Sequence, residues 1–75
     1  MTIRMNELAH GQRGRVVNLE NGGELRRRLL DLGLVPGTDI ERILASPGGD
    51  PICYRVRGAM IALRSHDAGQ VIVSI

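Results

Sequence analysis

The sequence predicts a mainly β chain: a small, strongly bent antiparallel barrel of about five strands, with one short α-helix between strands 1 and 2. Three observations predict it. Short runs of branched residues recur along the 75 residues, each closed by Gly, Pro or Asn, which is the spacing of an all-β domain. Only Glu24 to Gly33 repeats apolar residues at clear helical intervals. Several short strands on so short a chain would leave edges that only closure of the sheet on itself removes.

The elements follow in order. Gly11-Gln12-Arg13-Gly14-Arg15 marks a turn after Leu8, because paired glycines punctuate a strand pattern. Val16 to Leu19 makes the first strand, which Asn21-Gly22-Gly23 stops. In the helix, Leu25, Leu29 and Leu32 fall at i, i+4 and i+7, and that spacing predicts a buried stripe. Gly33 stands where a left-handed C′ residue ends a helix. Pro36-Gly37 fits the two central positions of a type II turn.

Asp39 to Ala45 is the second strand, broken by Ser46-Pro47-Gly48-Gly49-Asp50-Pro51. Ile52, Tyr54 and Val56 then alternate with Cys53, Arg55 and Arg57, a half-buried third strand. Gly58-Ala59 is spaced as a Gly-first hairpin loop, and Met60 to Arg64 makes the fourth strand. Ser65 to Gly69 predicts one helical turn capped by Ser65. Val71, Val73 and Ile75 alternate in the last strand. Gly33, Pro36, Gly37, Gly49, Pro51 and Gly58 therefore read as structural turn residues, and residues 1–75 as a single domain.

Composition narrows the function. Tyr54 is the only Phe, Tyr or Trp, so the core is aliphatic. Every basic residue is Arg, yet the net charge is only +2. That is too little for the basic footprint of a nucleic-acid binder. Single-strand binders also offer stacking rings, which this chain lacks. Lone Cys53 forms no intrachain disulfide, no stretch resembles a signal peptide, and no apolar run approaches the ~20 residues that span a bilayer. The expected compartment is the cytoplasm.

Gly11 and Gly14 before Val16, then Arg28-Leu29-Leu30-Asp31-Leu32-Gly33-Leu34, Pro36-Gly37, Gly49-Asp50-Pro51-Ile52 and Ile61-Ala62-Leu63-Arg64 together closely resemble the FeoA family of bacterial ferrous iron transport. The resemblance runs from about Leu8 to Ile75. It implies an SH3-like barrel and a partner, the membrane transporter FeoB, whose cytoplasmic part is a GTP-binding domain. It implies an accessory, regulatory role with no catalytic residues, no cofactor and no direct membrane insertion, and leaves self-association open. Similar barrels end some iron-dependent repressors, after a helix-turn-helix domain for which this chain has no room ahead of its barrel.

Candidate residues have competing readings. Arg26, Arg27 and Arg28 fan around the side of the helix away from the Leu stripe. Glu24 with Arg28 and Arg27 with Asp31 fall at i,i+4, so a solvated, ion-paired helix face explains them. The alternative is a docking face for an acidic patch on FeoB. Leu30 lies about 100° from Leu29 and is either buried against the Pro36 turn or exposed. If exposed, it makes with Leu34 an apolar spot rimmed by charge, as binding patches are built. The partner-binding set is thus Arg26, Arg27, Leu30, Asp31 and Leu34.

Other candidates carry less. Arg55, Arg57 and Arg64, on adjacent strands, make either a solvated sheet face or a phosphate track, the basis of a rival reading as a nucleic-acid-binding barrel. A metal-sensing module is a further alternative. His10, His66 and Cys53, however, have no ligand spacing, so no metal site is predicted. Three consecutive residues, Ser65-His66-Asp67, cannot stack as a catalytic triad, and no enzyme activity is expected.

Overall fold

A computed structural model describes all residues, 1–75. The elements are β1 (Thr2–Arg4), a 3-10 turn (Met5–Glu7), β2 (Arg13–Leu19), α1 (Gly23–Asp31), β3 (Asp39–Ala45), β4 (Ile52–Val56), β5 (Ala59–Leu63), α2 (Ser65–Ala68) and β6 (Val71–Ser74). They form one antiparallel sheet in the order β1-β6-β2-β3-β4-β5. The chain is mainly β, as expected, but has six strands. The extra one, β1, precedes the helix, which therefore lies between the second and third strands. Thr2-Ile3-Arg4 is too short to alternate visibly; it is a strand because Ile3 pairs with Val73.

The sheet curls rather than lying flat. β2 carries a bulge between Val16 and Asn18, and β3 carries one between Arg42 and Leu44; an extra residue bends its strand and increases the local twist. The curl brings the 3-10 turn beside β1 within reach of β4, where the Tyr54 hydroxyl donates to the Met5 carbonyl at 3.3 Å. Arg42, on β3, donates to the Leu8 carbonyl at 2.6 Å. Inside lies one aliphatic core: Met5, Leu8, Val16, Leu29, Leu34, Ile40, Val56, Val71 and Val73 around the single ring of Tyr54.

Three local expectations need correction. The β4–β5 loop is Arg57-Gly58, not Gly58-Ala59. Both residues take positive φ, 52° and 78°, the signature of a type I′ turn, so β5 begins at Ala59. Ser65 does not cap α2; the cap comes from another loop, where the Asp50 carboxylate accepts from the Ser65 amide at 2.7 Å. Leu32 is not in a buried stripe: it is 44% exposed, whereas Leu34 is fully buried.

The physical reason for that exchange is the way α1 ends. Its helical residues stop at Asp31, and Gly33 turns the chain left-handed at φ 107°. The Leu34 amide then bonds the Leu29 carbonyl and the Gly33 amide bonds the Leu30 carbonyl, each at 3.0 Å. This is a Schellman motif, whose two bonds satisfy the last orphan carbonyls and press C″ onto C3. Leu34 is C″ here and takes the core position that periodicity assigned to Leu32. The Pro36-Gly37 turn closes as expected, with the Thr38 amide bonding the Val35 carbonyl at 3.0 Å and Gly37 at φ 94°.

Candidate docking surface

The outer side of α1 is built on little apolar contact. Leu29 is buried, while Leu25 and Leu30 are half-buried against the core. Nothing caps the helix start with a side chain. Instead Arg26 reaches back, its guanidinium donating to the Leu19 carbonyl at the end of β2. About 60° separates Arg26 from the inward-facing Leu29 at 3.6 residues per turn, which is why this arginine alone of the three finds the sheet.

The expected i,i+4 ion pairs do not form. The chain's ion pairs are Arg4–Glu20, Arg13–Glu41, Arg15–Asp39, Arg55–Glu41 and Arg64–Asp50, none of them on α1. Arg27 and Arg28 therefore stand exposed and without carboxylate partners. Arg26, Arg27, Leu30 and Asp31 do come together, around Gly23, in an open hollow of about 300 Å³. Leu34 is not part of it. Its side chain is entirely buried, so its place in a partner-binding set is withdrawn: no partner reaches it without unfolding the end of the helix.

A second charged surface lies on the outer face of β2, β3 and β4. Arg15 donates to Asp39 at 2.9 Å, and that guanidinium holds the Asp39 carboxyl below the usual carboxylate range. One oxygen of Glu41 serves both Arg13 at 3.8 Å and Arg55 at 3.4 Å. Arg57 donates to the Thr38 hydroxyl at 3.4 Å and lies over Gly33, at the end of α1. Arg64 stands apart, 3.8 Å from Asp50 and beyond the far end of β5. Arg55, Arg57 and Arg64 thus do not align as one basic strip, because Arg57 belongs to the turn and Arg64 follows the strand.

The remaining candidates separate. His66 is exposed on α2, 3.3 Å from the Gln70 amide nitrogen, and Ser65 accepts from Asn6 at 3.3 Å. No three His, Cys, Asp or Glu side chains group to hold a metal, and Cys53 is half-buried. No helix is long and apolar enough to cross a membrane.

Sequence reasoning missed the Arg4 cluster. Its guanidinium bonds Glu20 at 2.9 Å and the Gly69 carbonyl at 2.7 Å, stitching β1 to two distant loops. It also missed buried Asn21, which donates to the Asp67 carbonyl at 3.0 Å. Asn21 reads as a strand breaker, and no local signal distinguishes a breaker on the surface from one pinned under α2.

Comparison with known proteins fits this architecture. The FeoA domain family matches residues 3–75. A Porphyromonas gingivalis protein described as an Fe(2+) transport protein A/Fe(2+) transporter FeoB fusion is 33% identical over 73 residues, covering 97% of this chain and 9% of its own length. The chain thus spans under a tenth of that relative. The solution structure of FeoA from Chlorobium tepidum superimposes with a TM-score of 0.93 at 34% identity, over 97% of this chain and 70% of that one. The crystal structure of Stenotrophomonas maltophilia FeoA with zinc, described as a procaryotic SH3 domain protein, superimposes with a TM-score of 0.84 at 29% identity, over 99% of this chain and 89% of that one. The sheet is therefore SH3-like.

Proposed function

The chain belongs to the FeoA family, associated with Fe(2+) transport, and from that membership we propose that it is a non-enzymatic accessory protein of bacterial ferrous iron uptake, docking in the cytoplasm onto the cytoplasmic part of FeoB. One observation carries the reading. In the P. gingivalis relative the matching segment and a FeoB transporter share one polypeptide, and covalent linkage keeps two modules at high effective concentration. Residues 1–75 act as one domain in this reading. The docking surface is the outer side of α1: Arg26, Arg27, Leu30 and Asp31, with Arg27 unpaired and free to meet a carboxylate. Regulation follows if the domain binds one conformation of the transporter more tightly than another, since only differential affinity shifts a conformational equilibrium.

The test is amide chemical-shift mapping of the labelled chain with the FeoB cytoplasmic domain. Shifts concentrated on residues 23–31, and loss of binding on Arg27→Glu, are expected. Binding by Arg27→Glu at wild-type affinity would remove α1 from the interface, and absence of any binding would remove FeoB as the partner.

A further inference from the structure

The charged face of β2, β3 and β4 is laid out in rows across the strands. Arg13 pairs with Glu41 and Glu41 with Arg55, so the three stand side by side on one face. Arg15 pairs with Asp39 in the neighbouring row, and Arg57 follows Arg55 by two residues, at the β4–β5 turn. The carboxylates of β3 are thus flanked by arginines on both sides. An open hollow of about 280 Å³ lies on this face. It is lined by Arg13, Arg55 and Arg57 and by Asp39 and Glu41, with Ile40 its one hydrophobic residue.

The carboxylates leave these arginines short. Asp39 is taken at 2.9 Å by Arg15, which is not in the lining. One oxygen of Glu41 is shared by Arg13 and Arg55 at 3.8 and 3.4 Å, against about 2.7–2.9 Å for a good charge-assisted bond. Arg57 has no carboxylate partner and only a 3.4 Å bond to the Thr38 hydroxyl. On the face as a whole, Arg13, Arg15, Arg55 and Arg57 stand against Asp39 and Glu41. That excess of two positive charges equals the net +2 of the entire chain, so the rest of the molecule is balanced and this face is not. Arg57 is also the chain's one residue other than glycine at positive φ, 52°. Asn, Asp or Gly normally fill that position of a type I′ turn, and a long side chain is strained there. Strain of this kind persists where a side chain serves a site.

We propose that this hollow is an anion site for the phosphate group of a small soluble molecule, held by Arg13, Arg55 and Arg57. Binding lets Arg13 and Arg55 exchange their long contacts with Glu41 for bidentate bonds to phosphate oxygens, whose geometry matches the guanidinium fork. A phosphate monoester carries about −1.5 to −2 charge near pH 7 and so answers the whole excess, where one carboxylate answers half of it. Arg64, beyond the far end of β5, does not continue the group, so the site suits one compact anion rather than a nucleic-acid strand. It lies apart from the outer side of α1 and does not rest on docking to FeoB.

The experiment titrates the labelled chain with inorganic phosphate at neutral pH and fixed ionic strength, then with acetate and with single-stranded oligothymidylate under the same conditions. Phosphate should shift the Nε–H signals of Arg13, Arg55 and Arg57 to saturation, and acetate should bind at least about tenfold more weakly. Glu41→Gln should tighten phosphate binding several-fold, because it removes the competing carboxylate. Arg57→Asn should weaken it about tenfold and keep the turn, since Asn-Gly suits type I′. Arg27→Asn, on α1, should leave it unchanged. No saturation in tens of millimolar phosphate, equal affinity for acetate, wild-type affinity in Arg57→Asn, or no gain in Glu41→Gln overturns the site. So does an equal loss in Arg57→Asn and Arg27→Asn, which marks general charge attraction. Tighter binding of oligothymidylate with shifts reaching Arg64 overturns it in favour of a nucleic-acid surface.

Discussion

Replacing Gly33 by Ala tests the joint that orients α1. The backbone there sits at φ 107°, beyond the left-handed basin near +57°. A Cβ carries about 1–2 kcal/mol of strain in left-handed geometry, and this position falls at the upper end. The new methyl would also lie 3.2 Å from Cδ of Arg57 and 3.5 Å from Cγ1 of Val56. The arginine can move aside, giving up its long, part-buried bond to Thr38, at about 0.5 kcal/mol. Against this, alanine restricts the unfolded chain and returns about 0.4–1 kcal/mol. The net loss is about 1.5–2 kcal/mol, or a fall of about 10 °C in Tm for a domain of this size. Urea unfolding would measure it. Gly37→Ala is the control, because φ is 94° and nothing lies within 4 Å; it should cost about 1 kcal/mol. Introducing Gly33→Ala into an Arg57→Ala background should lower its cost by about 0.5 kcal/mol. A Gly33→Ala variant as stable as wild type would refute the strain argument, and equal costs in both backgrounds would refute the contact.

Two further outcomes are expected. Arg26→Ala removes the bond to the Leu19 carbonyl and should cost about 1 kcal/mol, with faster amide hydrogen exchange concentrated in α1; uniform acceleration across the sheet would contradict a local tether. Burial pushes the Tyr54 hydroxyl up to about 12 from 10. The unfolded chain therefore ionises first, and the stability held below pH 10 should be lost as pH rises from 10 to 12. Denaturant melts across that range should show a decline that Tyr54→Phe flattens.

Much of the fold is legible locally. β3 runs from Asp39 to Ala45 as its flanking turn and breaker cluster predict, and the C′ role of Gly33 follows from its position after a helical run. What periodicity misplaces is the residue after that turn. Leu32 has the right spacing for the stripe, yet the left-handed step at Gly33 sends Leu34 inward and leaves Leu32 in solvent. β1 is illegible because three residues become a strand only through pairing with β6, 72 positions along the sequence at Thr2↔Ser74. At the candidate surface, the clustering of Arg26, Arg27, Leu30 and Asp31 is readable from helical geometry. The tether from Arg26 to Leu19 is not, since it depends on where β2 ends relative to α1. The missing ion pairs are likewise a matter of rotamers rather than spacing.

The strand order has a consequence for synthesis. β6 is the last strand made, and it lies between β1 and β2, the first two. Those two cannot pair across the gap that β6 fills, so the growing chain holds Ile3 and Val16 without their cross-strand partner Val73 until β6 has been made. Non-local pairing of this kind is slow, because the loop must close before any contact rewards it. On the ribosome this part of the barrel therefore forms only after Ser74 has cleared the exit tunnel. A nascent chain stalled before β6 would present its half-sheet to chaperones and proteases as an unfolded protein.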